Sequence, residues 1–284
     1  MITSRLFHPL ARLSIPVLFL SACAQQSVAV LPQYAASHAA VVARWIPTTG
    51  ESYQIQYSGK LDLGVDAAIY DLDMFGTPAS AVKKLHALRR RVMCYVDAGT
   101  WENWRPDARK FPKSVLGEPD SGWKGERWLD VRQTRILEPI MAHRLDLCKA
   151  KGFDGVDPDN LDGYQNDTGF PLTYGEQLTY DAWIAKAAHD RGLTADQKGD
   201  NGQVKDLVKV FDFAVVEQCY AQGWCKQFDV YTKSNRLVVD VEYYGNRQRF
   251  LNGNCSEARK NEDTAILKKL QLTAWILTCA KQRR

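Results

Sequence analysis

The feature that most constrains the fold of this chain is a repeated alternation of two patterns. Short apolar runs rich in β-branched residues alternate with longer segments whose apolar residues recur at helical spacing. The apolar runs predict strands at 53–59, 67–73, 92–99, 153–160, 193–199, 213–219, 237–244 and 264–270, and the helical patterns are clearest at 78–90, 136–152 and 174–192. This alternation is typical of βαβ units and predicts a parallel sheet.

The number of units favours a closed barrel over an open sheet. About eight strand–helix units occupy roughly 225 residues, close to the ~250 residues of a typical (β/α)8 barrel. A doubly wound open sheet is the alternative, but no GxGxxG or GxxxxGK motif follows a predicted strand. We therefore predict an α/β fold, a (β/α)8 TIM barrel formed as a single domain by residues 46–284.

The N-terminus has the pattern of an export signal. Arg5 and Arg12 precede an apolar run, residues 13–20, that is too short for a comfortable bilayer span. Residues 1–22 are therefore predicted to be a signal peptide. The segment "LSAC" resembles a bacterial lipobox, which would make Cys23 the lipidated first residue. The alternative is an ordinary signal peptide followed by an incidental cysteine.

The predicted mature chain is tethered and almost neutral. Residues 23–45 are rich in alanine, serine and valine and predict a tether, so we expect a lipid-anchored protein of the bacterial cell envelope, at the outer membrane or cell surface, or else a periplasmic or secreted one. The chain has 37 basic and 33 acidic residues, and loss of the signal leaves 35 basic ones. This scattered charge argues against nucleic acid as a partner and makes lipid the membrane link. No feature of the sequence specifies an oligomeric state.

Six cysteines follow the lipobox, and four of them suggest disulfides. In an oxidising compartment Cys219 and Cys225 are close enough to close one loop, and Cys255 with Cys279 would hold the C-terminal end.

The other two cysteines predict buried thiols. Cys94 lies in an apolar strand and Cys148 on a helix, where cysteine packs as a small apolar residue. A structural zinc site is not expected, because no CxxC, HxxxH or HxH spacing occurs. We expect no metal and no cofactor.

Most predicted strands begin apolar and end polar. The polar ends are Gln56, Asp71, Asp73, Asp97, Asp157, Asp159, Lys198, Glu217 and Glu242. In a parallel barrel the carboxyl ends of the strands meet at one face, where active sites form. The pattern therefore predicts one acidic rim; the alternative is that strand ends are simply where chains become polar.

The segment 152–164, "GFDGVDPDNLDGY", carries four aspartates, two of which are among these strand ends, and it admits three interpretations: a calcium loop, a solvated turn and a carboxylate-lined active site. A calcium loop starting at Asp157 would need an oxygen ligand where Leu161 stands and a glutamate where Thr168 stands, so an EF-hand is excluded. A solvated turn accounts for Asp154 and Asp162.

Asp157 and Asp159 fit an active site better than a solvated turn. They flank Pro158 and project to the same side of a strand, where two carboxylates repel one another. Glycoside hydrolysis uses two carboxyl groups on different sides of the scissile bond. Glu217 is the best partner, because the apolar run "FAVV" before it favours a raised pKa and a proton to donate.

Aromatic residues are consistent with a sugar as substrate. They crowd the excursion after the third strand and other strand ends: Trp101, Trp104, Trp123, Trp128, Tyr57, Tyr95, Tyr164 and Tyr243. Flat aromatic faces pack against the C–H-rich faces of sugars. We expect at least one of the tryptophans to line a cleft.

Six segments resemble glycoside hydrolase family 114, the endo-α-1,4-polygalactosaminidase-like barrels. They are "YQIQYSGKLD", "YDLDMFGTP", "CYVDAGTWENWRPDA", "GERWLDVR", "AKGFDGVDPDNLDGY" and "VVEQC", and they occur in the family's order between residues 45 and 279. The resemblance implies a secreted (β/α)8 glycosidase that acts on galactosamine-containing α-1,4-linked polysaccharide, as in biofilm matrices.

The resemblance also implies roles for residues. The family's catalytic pair corresponds to Asp159 in "PDN" and Glu217 in "EQC". By analogy with α-specific barrels Asp159 would be the nucleophile and Glu217 the acid/base, or the reverse. The substrate-binding residues would be Asp157, Asn160, Asp73, Asp97, Trp101, Lys198, Tyr57 and Glu242. Where members often have Lys-Asn, this chain has Lys198 and Gly199, which could alter the substrate.

Two functions from different classes remain at this point. The first is an endo-acting, envelope-tethered glycosidase, and the second is a non-catalytic polysaccharide-binding lipoprotein on the same barrel. Both carboxyl groups, Asp159 and Glu217, are intact, which favours the enzyme. Carboxyl groups far more than ~10 Å apart would contradict it.

Overall fold

The computed structural model of the chain describes residues 44–243 and 247–279. The predicted signal, Cys23 and the tether up to residue 43 lie outside the described residues. The last two residues of the predicted tether are described and contact the barrel. Arg44 pairs with Asp212 at 2.8 Å, and Trp45 packs beside the apolar core. Among the described residues, no helix combines the length and the apolar character that crossing a bilayer requires.

The strands and helices follow the predicted alternation. The strands are β1 Tyr53–Gln56, β2 Ile69–Asp73, β3 Arg91–Asp97, β4 Thr100–Glu102, β5 Leu116–Pro119, β6 Glu126–Leu129, β7 Gly155–Asp159, β8 Thr194–Lys198, β9 Phe213–Glu217, β10 Val238–Glu242, β11 Thr264–Leu267 and β12 Leu277–Thr278. The α-helices are α1 Ala79–Ala87, α2 Thr134–Lys151, α3 Tyr174–His189, α4 Val204–Leu207, α5 Cys219–Gln222, α6 Asp229–Thr232, α7 Arg247–Arg249 and α8 Cys255–Asn261. Shorter 3₁₀ turns and a π-helical turn, Phe250–Asn254, complete the chain.

The main sheet confirms the predicted (β/α)8 barrel. Its strand order is β1-β2-β3-β7-β8-β9-β10-β11-β12, and every neighbouring pair up to β11 is parallel. Strand β12 adds an antiparallel edge. At the seam between β1 and the end of the barrel, the Tyr57 and Ser58 amides donate to the Leu272 carbonyl, and Lys268 donates to Gln54 at 2.8 Å. The excursion after β3 forms a small antiparallel sheet, β4-β6-β5.

The barrel interior has an apolar floor below a polar layer. Alternate residues of each strand point inward, and the inward apolar side chains include Ile55, Met93, Phe213, Val239 and Ile266. Further toward the carboxyl ends of the strands, inward positions become polar. The floor therefore closes the barrel and leaves the polar layer facing the loops.

The structure corrects the expectation of two buried thiols. Cys94 and Cys148 form a disulfide with a Cα–Cα distance of 6.0 Å, in addition to the Cys219–Cys225 and Cys255–Cys279 bonds. Both residues are buried in the layer between the barrel and its helices, where α2 packs on the sheet. Their 54-residue separation gives no sign of this contact, because only tertiary packing brings helix and strand together.

Replacing Cys94 and Cys148 together by alanine is expected to lower the free energy of unfolding by about 4 kcal/mol. The bond closes a loop of 54 residues, and freeing it raises the entropy of the unfolded chain. Denaturant titration monitored by circular dichroism measures the change. The Cys255 and Cys279 double variant is the matched control; its shorter loop, 24 residues, predicts a loss of about 3 kcal/mol. An unchanged midpoint for the first variant would contradict the prediction.

Candidate active site

A cleft of about 630 Å³ opens at the carboxyl ends of the barrel strands. Its wall carries five carboxyl groups and five large aromatic side chains. The carboxyl groups are Asp73, Glu102, Glu126, Asp159 and Glu217, and the aromatic residues are Tyr57, Tyr95, Trp104, Trp123 and Tyr243. This composition suits a polar ligand with apolar faces.

Asp159 and Glu217 end two strands of the barrel that have one strand between them. Asp159 ends β7, Glu217 ends β9, and Lys198 ends β8 between them. The Lys198 Nζ lies 3.7 Å from Asp159 Oδ1 and 3.7 Å from Glu217 Oε1. The two carboxylate oxygens are therefore separated by no more than twice that distance, about 7.4 Å. Glycoside hydrolases place their two carboxyl groups ~5–5.5 Å apart for retention or ~6.5–9.5 Å apart for inversion, and this upper bound is compatible with both.

Glu217 is held in an environment that favours its protonated form. Its side chain is 41% exposed to the cleft, and the Tyr243 hydroxyl donates to Oε1 at 2.7 Å. Burial of the carboxyl group raises the pKa of Glu217, and the Asp159 charge adds to the rise, while Lys198 and the Tyr243 hydrogen bond oppose it. A carboxyl group with a raised pKa can donate a proton near neutral pH.

The backbone around Asp159 is fixed by close packing against the β3–β4 turn. The amides of Ala98 and Gly99 both donate to the Asp159 carbonyl, at 3.1 and 3.0 Å. Asn160 follows in the left-handed region, at φ 62°. A side chain at Gly99 would place its Cβ 1.6 Å from the Asn160 carbonyl oxygen, so only glycine fits there. This contact aims the Asp159 carboxyl group at the cleft.

A family model for glycoside hydrolase family GH114 matches residues 34–284. The chain belongs to glycoside hydrolase family 114. The crystal structure of Aspergillus fumigatus Ega3 in complex with galactosamine is similar, at 34% identity and a TM-score of 0.79, over 84% of this chain and 98% of that one. The glycoside hydrolase domain of PelA from Pseudomonas aeruginosa shares the fold, at 13% identity and a TM-score of 0.66, over 81% and 99% of the two chains. No curated protein matched the sequence.

This family 114 chain is a glycoside hydrolase, and the structure places four further predicted residues at or just below its cleft. Asn160 and Tyr57 line the cleft. Asp73 lies on the wall, where it pairs with Arg105. The Tyr57 hydroxyl contacts Asp157 Oδ2 at 2.8 Å, and Asp157 itself is fully buried below the cleft.

Lys198 lies under the cleft of the family 114 barrel and is not among the residues that line it. Its side chain is 4% exposed, and Nζ is 3.1 Å from Asp157 Oδ2. Burial alone would lower the pKa of Lys198, but the nearby carboxylates, Asp157 foremost, raise it well above its usual range. The ammonium group therefore stays charged between the two candidate catalytic carboxyl groups.

Three predicted subsite residues do not reach the cleft. Asp97 is buried and accepts hydrogen bonds from Thr100. Trp101 donates from Nε1 to a backbone carbonyl of its own excursion at 3.0 Å. Glu242 lies on the outer side of β10, where it accepts the Ala221 amide at 2.9 Å. The side chains of β10 that point into the barrel are at odd-numbered positions, so the side chain of Glu242 points away from the cleft.

Several cleft residues were not predicted because they come from the excursion after β3. Arg105 bridges Glu102, at 2.5 Å, and Asp73, and so ties this excursion to the barrel. Glu126 accepts the Thr100 hydroxyl at 2.9 Å. These residues lie close in sequence to the tryptophans Trp101, Trp104, Trp123 and Trp128, which indicated that the excursion forms a wall of the cleft. That tryptophan cluster is the sequence signal from which Arg105, Glu102 and Glu126 could have been predicted.

One cluster that extends from the cleft wall into the buried layer behind it has the composition of a metal site. Oxygens of Asp97, Glu102 and Glu126 lie within 4.8 Å of one another. However, Glu102 pairs with Arg105, and Asp97 accepts hydrogen bonds from Thr100. With these partners in place, we assign no metal to this cluster.

Proposed function

We propose that this chain is an endo-acting glycoside hydrolase that cleaves α-1,4-linked, galactosamine-containing polysaccharide. The observation that carries the proposal is the pair Asp159 and Glu217, which lie 3.7 Å on either side of Lys198 at the mouth of the barrel. The 34% identity to Ega3, whose crystal structure contains galactosamine, supports the substrate class.

In the proposed mechanism Glu217 is the acid/base and Asp159 is the nucleophile. Burial in the cleft wall raises the pKa of Glu217, which supports its protonation of the leaving glycosidic oxygen. Asp159 then bonds to the anomeric carbon as the glycosidic bond breaks. Glu217, now ionised, removes a proton from the water that hydrolyses this glycosyl ester and returns to its acid form.

The cleft wall supports a cationic, partly deacetylated polymer as substrate. Asp73, Glu102 and Glu126 lie along the wall with one guanidinium group, Arg105, so the ionised wall keeps a net negative charge that attracts ammonium groups. Trp104 and Trp123 also line the cleft and are 52% and 47% exposed. Exposed indole rings next to carboxylates can contact a sugar face while the carboxylates pair with its amine.

The affinity for this polymer is expected to depend on the ionisation of Glu126. Burial and the neighbouring Glu102 and Asp159 charges raise the pKa of Glu126 to about 7, so its carboxylate forms as pH rises through 7. Glu126→Gln should raise the KM about threefold at pH 8 and have little effect at pH 5.5. The ratio of variant to wild-type KM, measured from pH 5.5 to 8.5, cancels those effects of the polymer's own titration that do not involve Glu126. A ratio that stays constant with pH, or an equal effect on fully acetylated polymer, would contradict the prediction.

We also propose that the protein works outside the cytoplasm, anchored through lipidated Cys23. The signal-like N-terminus motivates this location. Three disulfides in the barrel support it, because such bonds persist in oxidising compartments. Metabolic labelling with a radiolabelled fatty acid, in cells expressing the full chain or Cys23→Ala, tests the anchor; labelling of both or neither would exclude it.

The proposed activity is tested by product release from α-1,4-linked galactosamine polymer. The chain without its signal is incubated with polymers of graded acetylation, and mass spectrometry follows the products. A ladder of oligosaccharides is expected from the partly deacetylated polymer, as internal cleavage produces. Binding without cleavage would replace the proposal with the polysaccharide-binding alternative, and release of monosaccharide alone would exclude endo action.

A further inference from the structure

Three aspartates lie side by side inside the barrel, just below the catalytic pair. Asp71 on β2, Asp157 on β7 and Asp196 on β8 each have 0% of their surface exposed. The Tyr57 hydroxyl bridges Asp71 and Asp157, and Asp157 and Asp196 follow the paired residues Val156 and Ala195 on neighbouring strands. Lys198, in contact with Asp157 at 3.1 Å, is the cation that faces this triad.

The unpaired oxygens of the triad indicate that some of its carboxyl groups carry protons. Two ionised carboxylates cannot hydrogen-bond to each other, because both have only acceptor oxygens. Asp71 Oδ1, Asp157 Oδ1 and both oxygens of Asp196 are buried without a hydrogen-bond partner among the described residues, so protons on the triad are the donors available to them. The Tyr57 hydroxyl oxygen lies 2.8 Å from both Asp71 Oδ2 and Asp157 Oδ2. It has a single proton, so it donates to one of these groups and can accept from the other.

The charges point to which carboxyl group is ionised. Three carboxylates beside one ammonium would leave two uncompensated charges in the fully buried layer, which is costly. Burial raises the pKa of Asp71 and of Asp196 well above the usual range, and the charge of Asp157 adds to both shifts. Burial also acts on Asp157, but Lys198 and the surrounding hydrogen bonds lower its pKa.

We propose that Asp71 and Asp196 are neutral carboxylic acids that donate hydrogen bonds to an ionised Asp157, and that this triad holds Lys198 between Asp159 and Glu217. The three aspartates are positioning residues, since none of them lines the cleft. The inference rests on the function proposed for Asp159 and Glu217. With two protons on the triad, Asp157 and Lys198 form one neutral ion pair in the interior.

The triad also sets the acidity of Glu217. The groups that act on the Glu217 carboxyl are Lys198, Asp159, Tyr243 and Asp157, and the Asp157 charge raises its pKa. If Asp157 loses its charge, Lys198 is left to stabilise ionised Glu217, so the pKa of Glu217 falls. Asp71 and Asp196 carry no charge in this arrangement, so they do not shift the pKa of Glu217. The Tyr53 hydroxyl also contacts Asp71, at 3.1 Å.

Isosteric asparagine variants separate the protonated from the ionised members. An amide can donate a hydrogen bond as a carboxylic acid does, so Asp71→Asn and Asp196→Asn should keep kcat within about threefold of wild type. Asp157→Asn removes the anchor of Lys198 and should lower kcat about 100-fold, because small misplacements of catalytic groups have effects of that size. Equal losses in all three variants would overturn the assignment.

Two readouts do not depend on activity. Infrared difference spectra should show loss of a protonated-carboxyl C=O band in Asp71→Asn and in Asp196→Asn, but not in Asp157→Asn. The ¹³C resonance of the Glu217 carboxyl group is assigned by its absence in Glu217→Gln. It should titrate at lower pH in Asp157→Asn than in wild type, and at the wild-type pH in Asp71→Asn and Asp196→Asn. Absence of both bands, or an unshifted Glu217 titration in a folded Asp157→Asn, would overturn the proposal. An inactive wild type would refute the proposed function but leave these two results decisive.

Discussion

Glu217→Gln is expected to lower kcat on the polysaccharide about a thousandfold, while the protein keeps its fold. The amide cannot protonate the leaving oxygen, and general acid catalysis contributes roughly 10²–10⁴-fold. The pKa of Glu217, raised by burial, is the structural basis for assigning it this proton. The measurement is the initial rate of oligosaccharide release, with the melting temperature as evidence of folding.

The matched control for this variant is Glu242→Gln. Glu242 ends the neighbouring strand, β10, but its side chain lies on the outer side of the barrel. The side-chain oxygen of a glutamine there can still accept a hydrogen bond from the Ala221 backbone amide. Its kcat should stay within about twofold of wild type. A substrate with a leaving group that needs no protonation should restore the bond-breaking step in Glu217→Gln. Failure of such a substrate to react faster than the polymer would contradict the acid role of Glu217.

Asp159→Asn is expected to reduce kcat at least about a thousandfold, because removal of one member of a catalytic unit removes most of the unit's effect. Asparagine cannot form the glycosyl ester. Its side-chain oxygen can still accept the Asn160 amide, which Asp159 Oδ1 accepts at 2.9 Å, so the turn should be preserved. Rates are measured on polymer, without and with added azide, a small anion that can attack the anomeric carbon in place of the carboxylate.

The control for Asp159 lies at the other end of the same strand. Asp154 precedes β7 and bonds to Arg91 and the Val92 amide, far from the cleft wall. Asp154→Asn should therefore reduce stability without a comparable loss of kcat. Azide should increase cleavage of an activated substrate by Asp159→Asn and form a glycosyl azide of inverted configuration. If azide instead increases cleavage by Glu217→Gln and forms a glycosyl azide of inverted configuration with that variant, the roles of the two carboxyl groups are reversed.

The barrel itself could be predicted from local patterns. Each of the eight predicted strands contains a strand of the main sheet, from β1 to β11, because β-branched runs and amphipathic segments report their own secondary structure. The prediction that Asp159 and Glu217 lie at the same face of the barrel followed from the predicted strands. Parallel strands end at one face, so residues 58 positions apart could be assigned to one site before any distance was known.

Side-chain direction and depth at the strand ends could not be predicted from those patterns. Glu242 and Tyr243 are adjacent in sequence, yet only Tyr243 reaches Glu217. The difference depends on the inward or outward phase of β10, which neighbouring strands determine. Lys198 and Asp157 were assigned to the rim, but the barrel's inward layers place them below it.

The sequence by itself determined the succession of strands and helices, the face on which the polar ends collect, and two residues able to act as a catalytic pair. These properties depend on neighbours along the chain, whose spacing is visible as periodicity. Only the tertiary structure decided the Cys94–Cys148 bond and the bridge from Arg105 to the barrel wall. The proposed sharing of two protons by three aspartates likewise depends on burial. These features arise between segments distant in sequence, where packing and the removal of water set the distance and the charge.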